Sequence, residues 1–194
     1  MNMKDRTVFL DRDGTLVDEM GYGGDPSKLT LFPGAAEAVA RLNGAGVTTV
    51  LVSNQSGVAR GYFNESDVIR CMERLQDLLA TKNGHLDGIE FCVHHPTEGI
   101  GPYTVKCQCR KPAIGMMERA ATALGRDLKH SFVVGDSWSD MEMAVNAGSK
   151  AVLVLTGHGK NILHQLEPKG ISVDYIAPTV TEAVEWILKQ KRRK

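Results

Sequence analysis

Two carboxylates, one residue apart, end the first apolar run of the chain, in the stretch VFLDRDGT. Along an extended strand residues i and i+2 point to the same side, so Asp11 and Asp13 repel each other unless a cation binds between them or the chain bends sharply. Carboxylate oxygens are hard ligands that suit a divalent cation such as Mg²⁺. The spacing therefore predicts a cation site at the end of this run.

Other polar residues follow apolar runs in the same way. Ser53 and Asn54 come after the second run, Asp136 comes after the fourth, and Lys111 stands just ahead of a helical pattern. In an open parallel sheet, ligands bind at the edge where the carboxyl ends of the strands meet. Three carboxylates, a hydroxyl, an amide and an ammonium group at one edge suit Mg²⁺ and a phosphoryl group together. Taken singly, such residues are equally typical of turns and helix caps.

The elements that must position these residues are short β-branched runs alternating with amphipathic helical patterns. This alternation predicts a doubly wound, mainly parallel α/β sheet that helices cover on both faces. The predicted strands are 7–10, 48–52, 89–93, 131–134 and 151–155.

Helix punctuation favours the same interpretation. We expect Asn64 or Ser66 to cap one helix that Gly84 ends, and Gly125 to end another. Thr179 begins a run with capping-box spacing ahead of the last helix. The apolar face of the first of these helices is predicted to contain Val68, Ile69, Met72, Leu75, Leu78 and Leu79, with Cys71 as inert packing.

The composition bounds the class of protein. With 194 residues, 42% of them hydrophobic, we expect a single domain over residues 1–194. Lysine plus arginine and aspartate plus glutamate number 23 each, so no global charge favours nucleic acid or an anionic membrane. The sequence lacks the apolar core of a secretory signal and any long apolar window, so we expect a cytoplasmic protein. We also expect a monomer. The basic tail, 189–194, is expected to be a solvated end.

Three of the four cysteines lie with a histidine at the two ends of one loop. The Cys-x-His and Cys-x-Cys pairs supply the number and type of ligands that a closed tetrahedral zinc site uses. Such a site has no open position for water, so the zinc would be structural and would hold Arg110 and Lys111 beside it. The alternatives are His95 as the fourth ligand, a disulfide, or free thiols. The predicted ligands are Cys92, His94, Cys107 and Cys109.

The motif Asp11-x-Asp13-Gly14-Thr15, followed by Ser53, Lys111 and Gly135-Asp136-x-x-x-Asp140, resembles the four motifs of the haloacid dehalogenase superfamily of phosphatases. The resemblance implies that Asp11 attacks phosphorus, giving an aspartyl-phosphate, while Asp13 protonates the leaving oxygen and then deprotonates water. It also implies Mg²⁺ held by the Asp11 carboxylate, the Asp13 carbonyl and Asp136. Ser53 and Lys111 would hold the phosphoryl oxygens. Asp140 would cap its helix or brace the metal site.

The loop sequences narrow this resemblance. CVHHP, CQCRKP and SNQSGVARGYF resemble the heptose-bisphosphate phosphatase and histidinol-phosphatase branch, whose members have a zinc loop and no cap domain. The intervals 15–53 and 53–111 leave no room for a cap. The sequence looks more like the D-glycero-D-manno-heptose 1,7-bisphosphate 7-phosphatases, which implies removal of the 7-phosphate in nucleotide-heptose, lipopolysaccharide core or glycan precursor synthesis. The implied substrate contacts are Glu19, Tyr22, Asn54, Arg60 and Arg110, of which Glu19 and Arg60 are equally typical of solvated loop charge.

Three other functions fit parts of the pattern. A phosphatase acting on histidinol phosphate or another small phosphomonoester would use the same catalytic residues. A signalling receiver also combines acidic metal ligands, a hydroxyl group and a lysine, but the second carboxylate at Asp13 favours turnover. A zinc-bearing nucleic-acid module is disfavoured by the neutral charge and by the lack of interleaved aromatic and basic residues.

Overall fold

A computed structural model describes residues 5–18 and 23–190 of the chain. The candidate substrate contacts Glu19 and Tyr22, and most of the basic tail, lie outside these residues. Six strands form one parallel sheet in the order β3-β2-β1-β4-β5-β6. They are β1 (Thr7–Leu10), β2 (Thr48–Asn54), β3 (Gly88–Cys92), β4 (Ser131–Gly135), β5 (Lys150–Val154) and β6 (Tyr175–Ala177).

Helices cover both faces of this sheet, because successive residues of each strand face opposite sides. The helices are α1 (Ala35–Gly44), α2 (Glu65–Ala80), α3 (Gly115–Leu124), α4 (Trp138–Ala147), α5 (Gly159–Leu166) and α6 (Val180–Lys189). In β1, Val8 and Leu10 belong to the core cluster under α1, α2 and α6, whereas Phe9 belongs to the cluster under α3, α4 and α5. The predicted doubly wound parallel fold is confirmed.

Two helix details differ from the sequence prediction. Asn64 caps α2 through a capping box, as one of the two alternatives proposed, but the helix ends at Ala80, before Gly84. The left-handed turn falls at Asn83 (φ 61°), and the Gly84 N–H still donates to the Leu79 carbonyl at 3.0 Å. Ile69, predicted for the apolar face, is 47% exposed, because the buried face of α2 is narrower than predicted and Ile69 lies outside it.

The other predicted caps are present. The Thr179 side chain accepts a hydrogen bond from the Thr181 N–H in a capping box that Glu182 completes. Gly125 ends α3 in the left-handed conformation (φ 63°). The three-residue edge strand β6 was not predicted from the sequence.

The strand order creates the place where the loops converge. β1 and β4 are neighbours in the sheet, and the chain leaves them towards opposite edges, so a crevice opens beyond their carboxyl ends. Among residues 5–18 and 23–190, no separate cap domain is inserted in the intervals 15–53 and 53–111. Within the same residues, none of the helices is long and apolar enough to cross a membrane.

Candidate active site

The residues predicted to form a site meet in the crevice beyond β1 and β4. Leu10 of β1 lies opposite Val134 of β4, so Asp11 and Asp136 follow neighbouring strands. The Asp11 N–H donates to the Val134 carbonyl at 2.9 Å, which extends the pairing by one bond. Both side chains are buried. The sheet therefore brings together two carboxylates that are far apart in sequence.

Lys111 holds this carboxylate cluster together. Its ammonium group donates to Asp11 Oδ1 at 2.7 Å, to Asp140 Oδ1 at 2.6 Å and to the Val52 carbonyl at 3.1 Å. Ligand atoms of Asp11, Asp136 and Asp140 all lie within 4.8 Å of one another, and the three residues are buried. One ammonium group among three carboxylates leaves an excess of two negative charges. A divalent cation would neutralise that excess.

The pKa values of the cluster reflect the same excess of negative charge. Burial, together with the nearby Asp140 and Asp136 carboxylates, raises the pKa of Asp11 well above its ordinary value, although Lys111 opposes the shift. Burial and then the charge of Asp140 raise the pKa of Asp136 to about 6. Burial alone would lower the pKa of Lys111, but Asp11 and Asp140 raise it above its usual value. The chemistry of this donor set therefore fits a hard cation.

Asp140 caps its helix, one of the two roles that the sequence left open, and also belongs to the carboxylate cluster. Its Oδ2 atom accepts hydrogen bonds from the N–H and hydroxyl groups of Ser137, which completes the capping box at the start of α4. Its Oδ1 atom accepts from Lys111. The helix start and the carboxylate cluster are thus joined through one side chain.

Glycines allow the loops after β1 and β5 to approach Asp136. Gly14 has φ 77°, and a Cβ atom there would collide with the Asp136 carboxylate. A Cβ atom on Gly157 would collide with the same group. The His158 N–H donates to Asp136 Oδ2 at 2.7 Å, and the Thr156 hydroxyl donates to the Gly14 carbonyl at 2.6 Å. Asp136 is therefore held by a backbone N–H group of the loop after β5 and packed closely against the loop after β1.

Asp13 has partners different from those of Asp11, because the chain turns directly after the strand. The N–H groups of Leu16 and Val17 both donate to the Arg12 carbonyl. The Asp13 carboxylate, 28% exposed, pairs with the Arg12 guanidinium and also accepts from Gln55. The two carboxylates of the opening motif thus occupy separate environments, one buried beside Lys111 and one open to the cavity.

A cavity of about 290 Å³ lies in front of these groups. Asn54 joins its walls, since the Asn54 amide donates to the Lys111 carbonyl at 3.3 Å and accepts from the Lys111 N–H at 3.1 Å. Four residues that were not predicted from the sequence also line the cavity, namely Arg12, Gln55, Ser137 and His158. The other predicted residues along its walls are Asp11, Asp13, Ser53, Lys111 and Asp136.

A second cavity of about 700 Å³ adjoins the first and shares Asn54, Lys111 and Ser139 with it. Arg110 lines it. Its guanidinium donates to the His94 carbonyl at 3.1 Å, which joins the two ends of the loop 92–110, hereafter the cysteine loop. Arg60 is not among the residues that line either cavity. Its guanidinium contacts Glu98 and the His95 ring instead.

The four predicted zinc ligands come together at one point. Cys92 Sγ lies 3.6 Å from Cys107 Sγ and 3.7 Å from His94 Nδ1, and Cys109 Sγ lies 3.3 Å from His94 Nδ1. The edges of a tetrahedral site with Zn–S bonds near 2.3 Å measure about 3.8 Å. Cys109 Sγ lies closer than this to the other two sulfurs, at 3.0 Å from Cys92 Sγ and 3.1 Å from Cys107 Sγ. His95 is outside the cluster, because its Nδ1 atom accepts from the Glu98 N–H. The three cysteines are unbridged, so the cluster fits a zinc site with His94 as the fourth ligand.

Known proteins are similar in sequence to this chain along most of its length. Residues 108–183 match the family model described as HAD-hydrolase-like. The D-glycero-D-manno-heptose-1,7-bisphosphate 7-phosphatase of Thermosynechococcus vestitus is 44% identical over 184 residues, which cover 93% of this chain and 94% of that protein. The chain belongs to the heptose-bisphosphate phosphatase family. A second member, the D-glycero-beta-D-manno-heptose-1,7-bisphosphate 7-phosphatase of Haemophilus influenzae, is 37% identical over 188 residues, 97% of this chain and 99% of that protein.

Solved structures of this phosphatase family have the same fold. The D,D-heptose 1,7-bisphosphate phosphatase of B. bronchiseptica, crystallised with magnesium and phosphate, matches with a TM-score of 0.84 and 32% identity. The match covers 96% of this chain and 99% of that one. The corresponding enzyme of Burkholderia thailandensis matches with a TM-score of 0.69 and 27% identity, over 95% of this chain and 99% of that one. The family resemblance inferred from the motifs is confirmed.

Proposed function

We propose that this protein is a magnesium-dependent phosphatase that removes the 7-phosphate of D-glycero-D-manno-heptose 1,7-bisphosphate. The observation that carries the proposal is the pair of adjoining cavities, one lined by Asp11, Asp13 and Lys111 and the other by Arg110. The relatives at 37% and 44% identity carry the names of enzymes with this activity. Residues 1–194 would form one domain that acts as a cytoplasmic monomer.

Asp11 is the nucleophile in this proposal. Its carboxylate oxygen forms a bond to phosphorus while the bond from phosphorus to the sugar oxygen breaks, which gives an aspartyl-phosphate. Asp13 gives a proton to the departing sugar oxygen and later takes one from the water that hydrolyses the aspartyl-phosphate. The Asp11 carboxylate, the Asp13 carbonyl and Asp136 would hold Mg²⁺, which supplies positive charge to the phosphoryl group.

Two further groups hold the phosphoryl oxygens. The Ser53 hydroxyl and the Lys111 ammonium group line the same cavity as Asp11, on the ends of β2 and the cysteine loop. Asn54 bonds the backbone of Lys111 at both its N–H and its carbonyl. Donors that are already fixed in place stabilise the charge that develops on the transferring group without reorganising during the reaction.

The second cavity gives room for the remainder of a bisphosphate. Its position beside the first, through shared Asn54 and Lys111, allows one molecule to reach both. A phosphate that is not cleaved needs its own cationic partner, and an arginine fork suits it. Arg110 supplies that charge. Arg60, Glu19 and Tyr22 stay predicted substrate contacts, and the cavity geometry favours Arg110 over Arg60.

The substrate assignment predicts a specific loss in the variant Arg110→Ala. Charge-assisted hydrogen bonds contribute about 1.5 to 3 kcal/mol, so kcat/KM for heptose bisphosphate should fall by about one to two orders of magnitude. Hydrolysis of p-nitrophenyl phosphate, which has neither a second phosphate nor sugar hydroxyls, should change little. The wild-type protein should prefer one of the two heptose bisphosphate anomers to fructose bisphosphate and histidinol phosphate in the same assay.

Arg70→Ala provides the matched control, because Arg70 is exposed on α2, pairs with Asp67 and lines neither cavity. It should leave both activities within about twofold, as expected for a screened surface charge. Equal losses on the two substrates in Arg110→Ala would show that the arginine supports Lys111 or the cysteine loop instead. Preference of the wild-type protein for histidinol phosphate would assign it to that phosphatase activity.

Zinc is expected to stabilise the loop that carries Arg110. Protein purified without added zinc should contain about one zinc per chain, and Cys107→Ser should lose most of it. Removing zinc should increase amide hydrogen exchange in residues 92–110 before the sheet is affected. Cys71→Ala is the matched control, since Cys71 is buried in α2 away from the cluster and should retain zinc. A zinc-free preparation with full activity and reactive thiols would contradict this assignment.

A further inference from the structure

Arg12 and Gln55 form a closed ring of hydrogen bonds with Asp13. The Arg12 guanidinium donates to both Asp13 oxygens, from Nε at 3.0 Å and from Nη2 to Oδ1 at 2.9 Å. Arg12 Nη2 also donates to Gln55 Oε1 at 3.1 Å, and Gln55 Nε2 donates to Asp13 Oδ2 at 2.9 Å. Arg12 and Gln55 are each only 4% exposed. The carboxylate is therefore held from two sides by buried groups.

The ring also sets the direction of the Gln55 amide. With the opposite orientation the amide oxygen would face a carboxylate and the amide nitrogen would face a guanidinium, and both contacts would be repulsive. In the observed orientation Gln55 Nε2 donates to Ser53 Oγ at 2.8 Å as well. Because that oxygen accepts this bond, the Ser53 hydroxyl hydrogen can donate to a phosphoryl oxygen.

The buried guanidinium carries a cost that an apolar residue would avoid. Arg12 Nη1 is buried and has no hydrogen-bond partner among the described residues. Leaving a buried donor unpaired is unfavourable, so packing alone does not account for an arginine here. The contacts that the guanidinium does make lead to Asp13 and to Gln55.

We propose that Arg12 and Gln55 are positioning residues that hold the Asp13 carboxyl where it exchanges a proton with the leaving oxygen. This inference rests on the proposed phosphatase function. As the bond from Asp11 to phosphorus forms and the bond from phosphorus to the sugar oxygen breaks, the sugar oxygen takes the electron pair and a proton from Asp13. A displacement of about 1 Å in a positioned catalytic group is enough to slow a reaction strongly.

The test compares two leaving groups in kcat/KM, which reports on the steps up to departure of the leaving group. A sugar alkoxide needs a proton in order to leave, whereas p-nitrophenolate does not. In Arg12→Met the ratio of kcat/KM for heptose bisphosphate to that for p-nitrophenyl phosphate should fall about tenfold. This loss is smaller than the roughly 10²- to 10⁴-fold that general acid catalysis contributes, because Asp13 itself is still present. Gln55→Met should lower the same ratio, and Arg12→Lys should recover part of it.

The decisive measurement is made in an Asp13→Asn background. If Arg12 acts through Asp13, adding Arg12→Met to Asp13→Asn should leave the ratio unchanged, because the group being positioned is already lost. Gln76→Met is the matched control, since Gln76 bonds the Leu86 backbone far from the cavity and should not move the ratio. If Arg12→Met does not fold, Gln55→Met alone and combined with Asp13→Asn decides the question.

Equal losses on both substrates, an unchanged ratio in the single variants, or a further drop in the double variant would overturn the proposal. Failure of the proposed substrate is distinguishable from these outcomes. If the wild-type protein does not prefer heptose bisphosphate, the ratio is measured with the alkyl phosphomonoester that it hydrolyses best. The same Arg12 and Gln55 variants then test the positioning role independently of the substrate.

Discussion

Asp11→Asn should lower the rate of phosphate release by on the order of 10⁴-fold or more, which is the loss that enzymes show when their nucleophile is removed. The asparagine amide is a poor nucleophile, and it contributes no charge to a cation held with Asp136. Lys111 can still donate to the amide oxygen in place of Asp11 Oδ1, at present 2.7 Å away, so the fold should persist. Release of inorganic phosphate, with and without Mg²⁺, measures the effect.

Stability supplies the control for this variant. Because burial and nearby carboxylates raise the pKa of Asp11 well above its ordinary value, the folded protein binds that proton more tightly than the unfolded chain does. The free energy of unfolding is therefore lowered as the pH rises above the ordinary aspartate pKa. In magnesium-free buffer at neutral pH, Asp11→Asn should melt at or above the wild-type temperature, and added Mg²⁺ should raise its melting temperature less. Near wild-type phosphate release from the folded variant would refute the assigned nucleophile.

The position of the site could be predicted from the sequence because it depends on strand ends. Buried parallel strands appear as continuous apolar runs, and the carboxyl ends of neighbouring strands meet at one edge. The sequence alone therefore predicts that Asp11, Ser53 and Asp136 lie together. The edge strand β6 could not be predicted, since Tyr175 and Ile176 are partly exposed and Ala177 is the fully buried residue of the three.

The contacts that surround Asp13 could not be predicted, because they depend on how loops pack. An arginine beside a carboxylate usually indicates a solvated turn, and the burial of Arg12 depends on Gln55, 43 positions away. The surroundings of Arg60 also depend on loop packing. The resemblance placed it at the substrate, but packing of the cysteine loop brings Glu98 and His95 to its guanidinium. Motif spacing carries no information about such loop-to-loop contacts.

Lys111→Met should lower both activity and stability. The ammonium group is 3% exposed and donates to Asp11, Asp140 and the Val52 carbonyl, so its removal leaves the buried carboxylates without a counter-charge. Breaking a buried ion pair in this way costs about 3 to 5 kcal/mol of unfolding free energy. Loss of a fixed donor to the phosphoryl group should also lower kcat by roughly 10²- to 10³-fold. Denaturant unfolding and phosphate release in saturating Mg²⁺ measure the two effects.

A second substitution separates the two roles of Lys111. Asp140→Asn removes one of the two carboxylates that lose their ion pair with Lys111, while the asparagine can still accept the hydrogen bonds from Ser137 at the start of α4. The double variant Lys111→Met/Asp140→Asn should therefore regain most of the lost stability, as expected for two residues that are coupled through one ion pair. Its activity should stay low, because neither new side chain can place a positive charge beside the phosphoryl oxygens. Recovery of activity together with stability would mean that Lys111 serves only to neutralise Asp140, and charge stabilisation of the transferring group would then have to come from the metal and Ser53.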